Sequence, residues 1–352
     1  MNKEYFYGLD KLRAIMMLFG PIYHAACYLT PYFQWSPYSE LNHRSANIWN
    51  IISIETIFRM QTFFLVSGFL AAMLLSRRTR KEYILARIKR VFLPLILGLL
   101  LCNILQNLYF YFVLDLRPTF SYGMLIFHGW FLVVLFVFCI LDLLTTQSNS
   151  NKIRLQIFLL IIFFIIGIII QRQANKVWEL FHLPTFIWQV LHLIFTQPLQ
   201  YLFYYYLGKI LYLHREKLHY ISIKNIIYLS FFSTIVLFFA HISQPNISNL
   251  ISSPYPYLRN IASALMSFSL FLIFYRYNSK HSQISQYLIS SSIAIYILHH
   301  PLCLIIGYHL DFSPIRNTHW FILTVILVFL CSFAIFNCIR CYKTTRIMFG
   351  LK

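Results

Sequence analysis

The chain has 352 residues, of which 59% are hydrophobic and only 11% are charged, and its formal net charge is +19. A soluble domain carries about 25% charged residues, so the composition excludes an ordinary soluble enzyme and favours a polytopic membrane protein. A large positive charge is also typical of nucleic-acid-binding proteins, but its distribution along this chain argues against that class.

Ten apolar stretches are suited to cross a bilayer as helices. We predict spans near residues 10–30, 49–75, 91–113, 124–145, 155–171, 185–213, 221–242, 256–276, 287–309 and 319–341. The termini and one set of alternate connections hold 21 of the 29 Lys and Arg, whereas the other set holds five. By the positive-inside rule this split predicts that both termini are cytoplasmic. The sequence therefore predicts an all-α transmembrane helix bundle, with residues 1–352 forming a single domain.

The first span carries two ionisable side chains, Arg13 and His24. They are 11 residues apart, which in an α-helix is about three turns, so both lie on one face about 16 Å apart. Ionisable groups inside a span cost several kcal/mol, which makes each a candidate functional residue. The spacing alone fits equally well a snorkelling arginine and a hydrogen-bonded core histidine.

The second span carries Glu55, Arg59 and Gln61. Glu55 and Arg59 are four residues apart, so they are expected to pair on one helix face. A structural buried pair is the simpler explanation of this spacing. Ser67 and Gly68, further along the span, predict a point where another helix approaches closely.

The connection after the second span is the most basic part of the chain. Arg87 and Arg90 lie one turn apart where the third helix begins. Two guanidinium groups at a membrane surface suit a phosphorylated ligand, because each matches phosphate oxygens bidentately. Topological charge in contact with anionic lipid is the alternative explanation.

Two later spans contain further histidines. His128 and Trp130 open the fourth span, and His299 and His300 precede Pro301 in the ninth. Two adjacent histidines point to different faces of a helix, so they are not expected to bind one metal ion together. No helix offers the Glu and His pairs typical of metal sites in bundles, and the seven cysteines show no short-spaced metal pattern. We therefore predict no metal site.

These motifs, in this order, resemble those of the acyltransferase family 3 membrane proteins. The matching features are Arg13-x10-His24, FFLVSGF at 63–69, Arg87-x2-Arg90 followed by Pro94, and Tyr296-x2-His299. The strings FRMQ at 58–61, HGWFL at 128–132 and IYILHHPL at 295–302 resemble a glucan biosynthesis branch of that family. The resemblance extends from residue 8 to about residue 310. One departure is Gly129, which stands where a bulkier Leu is usual and predicts looser packing beside Trp130.

The resemblance implies transfer of an acyl group, succinyl in the glucan branch, from cytoplasmic acyl-CoA to a hydroxyl of a periplasmic glucan or other glycan. It further implies a multi-pass protein of the bacterial inner membrane, with acyl-CoA as a substrate and no tightly bound cofactor. The residues fit this reaction as follows. His24 is the expected general base or a transient acyl-histidine, Arg13 orients the donor, Arg87 and Arg90 bind its phosphates, and Arg59 is the candidate for the succinyl carboxylate. Supporting or acceptor-side roles fall to Glu55, Gln61, His128, Trp130, Tyr296 and His299.

A transporter or flippase of a glycan or lipid is the competing class, because buried Arg, Glu and His also suit a proton-coupled carrier. The sequence shows no internal repeat of the kind that many transporters contain, which favours the enzyme. An acyltransferase releases free CoA when the acceptor is present, whereas a carrier moves its substrate without consuming acyl-CoA.

Overall fold

A computed structural model of the chain describes residues 5–29, 46–115, 127–144, 153–180, 185–243, 255–280, 282–315 and 317–351. Every regular element within these residues is helical, which confirms the predicted all-α class. The α-helices are α1 (Tyr7–Leu29), α2 (Ala46–Ile52), α3 (Arg59–Leu75), α4 (Arg80–Arg87), α5 (Leu100–Val113), α6 (Trp130–Leu144), α7 (Ile153–Leu180), α8 (Thr185–Leu191), α9 (Gln197–Leu213), α10 (Arg215–Leu218), α11 (Ile223–Ile242), α12 (Tyr255–Arg276), α13 (Gln283–Asp311), α14 (Asn317–Ile339) and α15 (Lys343–Met348).

Six helical segments in the described part of the chain are long and apolar enough to cross a membrane. They are Asn47–Leu75, Arg80–Val113, Ile223–Ile242, Tyr255–Arg276, Gln283–Asp311 and Thr318–Ile339. Two further apolar helices, Trp130–Leu144 and Arg154–Ile170, are shorter. The structure therefore supports a multi-pass protein, while the count of ten spans and the cytoplasmic termini stay predictions.

The first of two compact units contains the described residues of Met1–Met16, Ile54–Ala86 and Val134–Ser282. Within it α3 packs along α9, α12 packs on α3, and α11 packs on α12. Glycines permit the α3–α9 crossing, because a Cβ at Gly68 would collide with the Tyr205 carbonyl and one at Gly208 with the Leu65 carbonyl. The small step predicted at Gly68 is thus a close helix–helix approach.

The second unit contains the described residues of Met17–Ser53, Arg87–Val133 and Gln283–Lys352. Its α13 packs against α14 and also contacts α5. An apolar cluster joins four helices, with Tyr28 from α1, Phe110 from α5, Cys303 and Leu304 from α13, and Trp320 from α14. This cluster lies beside the residues that form the candidate site.

The third span has an irregular entry. Two consecutive π-helical segments, Ile88–Phe92 and Pro94–Leu99, connect α4 to α5. Pro94 lacks a backbone N–H and therefore cannot make the usual α-helical bond at its position, which favours a local change of hydrogen-bond register. Arg87 ends α4 and Arg90 lies in the first π segment, so the predicted basic pair is at the start of the third span as expected.

Candidate active site

Four histidines form a compact cluster in the second unit. The ring of His24 on α1 lies 5.1 Å from His299 and 5.1 Å from His300, both on α13, and 6.3 Å from His128, measured between ring centroids. His128 and His300 stack at 4.6 Å with only 5° between their ring planes. All four side chains are buried. The structure thus brings together three predicted site residues, His24, His128 and His299, and adds His300.

A glycine allows α1 to reach α13 at this place. Gly20 lies one turn before His24, and a Cβ there would be 3.2 Å from His299 Nε2 and 3.2 Å from the Tyr296 ring. A larger residue would force these side chains to shift. Sequence therefore places His24 in the cluster partly through the small residue one turn before it.

Main-chain carbonyls fix the orientation of two rings. His128, in the 3-10 turn Phe127–Gly129, donates its Nε2–H to the Ile297 carbonyl at 3.2 Å. His299 donates its Nδ1–H to the Tyr296 carbonyl at 2.5 Å. A carbonyl can only accept, so a neutral ring has its lone pair on the other nitrogen, Nδ1 in His128 and Nε2 in His299.

Tyr296 ties the turn to α13. Its hydroxyl donates to the carbonyl of His128 at 2.9 Å, and its ring lies 4.9 Å from the His299 ring and 4.4 Å from that of Phe131. This predicted residue is therefore part of the site. Trp130 follows as the first residue of α6 and is partly exposed.

The prediction of loose packing at Gly129 is wrong. A Cβ at this position would collide with the side chain of Leu99, which already fills the space that a larger residue would take. Gly129 instead allows the third span to pack tightly beside the turn that holds His128.

The predicted donor-side residues have partners of their own. Arg13 belongs to the first unit, where its guanidinium lies 3.4 Å from the Asp10 carboxylate, which also accepts a hydrogen bond from Tyr5. The predicted pair in the second span is confirmed, with Arg59 Nε 2.8 Å from Glu55 Oε2 and both side chains buried. Gln61 is half-buried in the first turn of α3.

The basic pair lies at the edge of the second unit. Arg87 is half-buried and Arg90 is exposed. Gly350, near the C-terminus, packs on the backbone of Arg90, where an added Cβ would be 3.3 Å from the Arg90 carbonyl oxygen. A role of this pair in binding phosphate stays a prediction.

Sequence reasoning missed three features. The first is His300. Its position next to His299 was considered only for metal binding, which two adjacent histidines on different helix faces do not favour. The second is Asp142 in the first unit, whose buried carboxylate accepts hydrogen bonds from Tyr83 at 2.7 Å and Tyr205 at 2.6 Å and pairs with Lys209 at 2.5 Å. The third is a set of buried carboxamides on α5, at positions 103, 106 and 107. Asp142 and the carboxamides could have been found from the sequence, because each is a polar residue within an apolar span.

Among the described residues, no group of three or more His, Cys, Asp and Glu side chains has a geometry that would hold a metal ion. The arrangement suits proton transfer, because a buried imidazole beside other imidazole rings can accept and return a proton at one place.

Comparison with known proteins identifies the family. The profile of the acyltransferase family 3 domain, described as "Acyltransferase domain", matches residues 6–337. Proteins named "Glucans biosynthesis protein C" from Escherichia coli O1:K1 / APEC, from Escherichia coli O45:K1 (strain S88 / ExPEC) and from Escherichia coli (strain K12) are each 25% identical to the chain. Each alignment extends over 363 residues and covers 95% of this chain and 90% of the relative. No solved structure matches the chain. Since the family profile covers nearly the whole chain, this protein belongs to the acyltransferase 3 family.

Proposed function

We propose that this protein is a membrane O-acyltransferase that transfers an acyl group from cytoplasmic acyl-CoA to a hydroxyl of a periplasmic glucan or other glycan. The observation that carries the proposal is the buried cluster of imidazole rings around His24 in a chain of the acyltransferase 3 family. The named relatives, at 25% identity, suggest glucan as the acceptor. The motif resemblance to the glucan biosynthesis branch favours succinyl as the acyl group.

The reaction requires a base for the acceptor and a leaving group at the donor. We assign His24 as the general base that takes the hydroxyl proton while the hydroxyl oxygen attacks the thioester carbonyl carbon. The C–S bond breaks, and the CoA thiolate leaves and accepts the proton from the imidazolium. The alternative is a transient acyl-histidine. In this route a ring nitrogen of His24 attacks the thioester carbonyl carbon, and the C–S bond breaks to release the CoA thiolate. The acceptor hydroxyl oxygen then attacks the acyl carbon, the C–N bond to His24 breaks, and the hydroxyl proton goes to the thiolate.

The donor would enter from the cytoplasmic side in the topology of ten spans with both termini inside. Arg87 and Arg90 would contact the phosphates of CoA, and Arg13 would orient the donor. Arg59 is a weaker candidate for the succinyl carboxylate, because Glu55 already lies against its guanidinium. An arginine that pairs with a buried carboxylate has less of its charge available for a second one.

The central prediction concerns His24. The His24→Ala variant should lose transfer of label from radiolabelled succinyl-CoA to glucan by at least about a hundredfold, the usual lower range for general-base catalysis. The measurement compares labelled glucan and free CoA for purified wild type and variant, with acetyl-CoA as the second donor.

The matched control is His309→Ala. His309 lies on α13 as His299 does, but it is exposed and bonds to Tyr109 at 2.6 Å, outside the cluster. This variant should retain wild-type transfer. Full activity in His24→Ala would refute the role of His24, and glycan movement across the membrane without consumption of acyl-CoA would favour a carrier instead.

A further inference from the structure

The third span presents a polar face to the interior of the second unit. Asn103, Gln106 and Asn107 are all at least 97% buried, and Asn107 has no exposed surface. The opposite face of α5 is apolar and exposed, with Leu101, Leu105, Leu108 and Phe112. The three carboxamides therefore face other helices, not the lipid.

Several buried polar atoms on α5 and α14 have no hydrogen-bond partner in the described part of the chain. On α5 they include both amide atoms of Asn107 and Oε1 of Gln106, and on α14 they include Nε1 of Trp320 and Oγ1 of Thr324. Trp320 and Thr324 are also buried and lie one turn apart. Buried polar groups are normally hydrogen-bonded, so a set of this kind indicates a missing partner such as water or a ligand.

The carboxamides lie between two contacts that connect α5 to the surroundings of the histidine cluster. One turn before Asn103, Leu99 packs against Gly129, the residue next to His128. One turn after Asn107, Phe110 packs in the apolar cluster that also contains Tyr28. The Tyr28 ring is 6.4 Å from the His300 ring. The stretch of α5 between these two contacts therefore passes the histidines.

Trp320 extends the polar set to the other side of the same region. It belongs to the apolar cluster with Phe110 and Tyr28, and Thr324 lies between Trp320 and Val328 on one face of α14. The buried indole N–H and threonine hydroxyl are thus on the face of α14 that packs toward this cluster.

The chemistry of the set selects the kind of ligand. It contains carboxamides, an indole N–H and a hydroxyl, all of which are neutral. A phosphate or a carboxylate would need cationic partners, whereas a sugar hydroxyl both donates and accepts, as a carboxamide does.

We propose that Asn107 and Gln106, with Trp320 and Thr324, bind the hydroxyl groups of a neutral sugar acceptor and orient the reacting hydroxyl toward the histidine cluster. The role of these residues in catalysis rests on the proposed acyl transfer. Their binding of sugar does not depend on that proposed function. The set is distinct from the residues assigned to the donor.

The test uses Asn107→Leu, which keeps a similar shape and removes both polar atoms. The KM for a glucan acceptor should rise by about tenfold or more, as loss of one or two hydrogen bonds to a ligand predicts. The matched control is Asn337→Leu on α14, because Asn337 is exposed and accepts a hydrogen bond from Tyr287. Its acceptor KM should not change.

A second measurement separates this inference from the proposed function. Binding of a β-linked glucose pentasaccharide to the purified protein, without acyl-CoA, is followed by calorimetry for wild type, Asn107→Leu and Thr324→Val. Loss of binding in both variants supports the sugar site even if no acyl donor is ever consumed.

A purely structural role gives a different result. Unchanged acceptor KM and unchanged pentasaccharide binding in both variants, or no binding to wild type, would overturn the proposal. Thr324→Val preserves the test should Asn107→Leu fail to fold.

Discussion

At the scale of single residues, the main chain organises the histidine cluster. The rings of His128 and His299 are each anchored to a carbonyl of α13, at Ile297 and Tyr296. The Tyr296 hydroxyl in turn holds the carbonyl of His128. Because carbonyls of a helix cannot rotate freely, these contacts keep the rings oriented.

Asp142 provides a second test at this scale. Two tyrosine hydroxyls and the Lys209 ammonium converge on this buried carboxylate. Asp142→Asn should lower the free energy of unfolding by roughly 3 kcal/mol, because it leaves the lysine charge without its counter-ion. Reversible unfolding in mixed detergent measures the change.

The double variant Asp142→Asn with Lys209→Met serves as the control. It removes both charges and should recover part of the lost stability, since an apolar replacement of a buried pair is often neutral. Equal losses in the single and double variants would argue against the pairing as the cause.

At the scale of helices, glycine determines how closely α3 and α9 approach. Gly68→Ala should destabilise the protein by about 1–3 kcal/mol, because the added methyl group meets the Tyr205 carbonyl and the helices must separate. The thermal midpoint of the purified protein gives the measurement.

Gly167→Ala is the comparison for this prediction. Gly167 is also buried in a helix of the first unit, but a Cβ there would make an ordinary contact of 3.4 Å with the Gln200 carbonyl. Alanine is the better helix former, so this variant should be as stable as wild type or more so. A similar loss of stability in both variants would mean that the close approach of α3 and α9 does not cause the loss in Gly68→Ala.

The sequence predicted where helices form better than it predicted which helices contact one another. Periodicity and length identify α13 and α3, and the spacing of Glu55 and Arg59 was enough to predict their pair. Which helices meet depends on packing over long sequence separations, so the meeting of His24 with His128 and His299 required the family resemblance. Asn107 was missed because an amide carries no charge, although a buried amide also needs a partner. Asp142 was missed because it lies near the end of its predicted span, where a carboxylate is expected to reach water.

At the scale of the whole molecule, the distribution of charge predicts the orientation in the membrane. A reporter fused after Lys352 should behave as cytoplasmic, so green fluorescent protein should fluoresce there and alkaline phosphatase should be inactive. The matched fusion follows Asp115, after the third span, where phosphatase should be active. Active phosphatase at the C-terminus would contradict an even number of spans.

The two π-helical segments before α5 have a consequence for how this chain tolerates change in length. Each π turn accommodates about one residue more than an α-helical turn, and every residue advances a helix by roughly 100°. The number of residues between Ile88 and Leu99 therefore determines the direction in which Asn107 points. Loss of a single residue in this stretch would rotate the carboxamides toward the lipid tails. A point substitution in this stretch leaves the number of residues unchanged, whereas an insertion or a deletion rotates the whole polar face of α5.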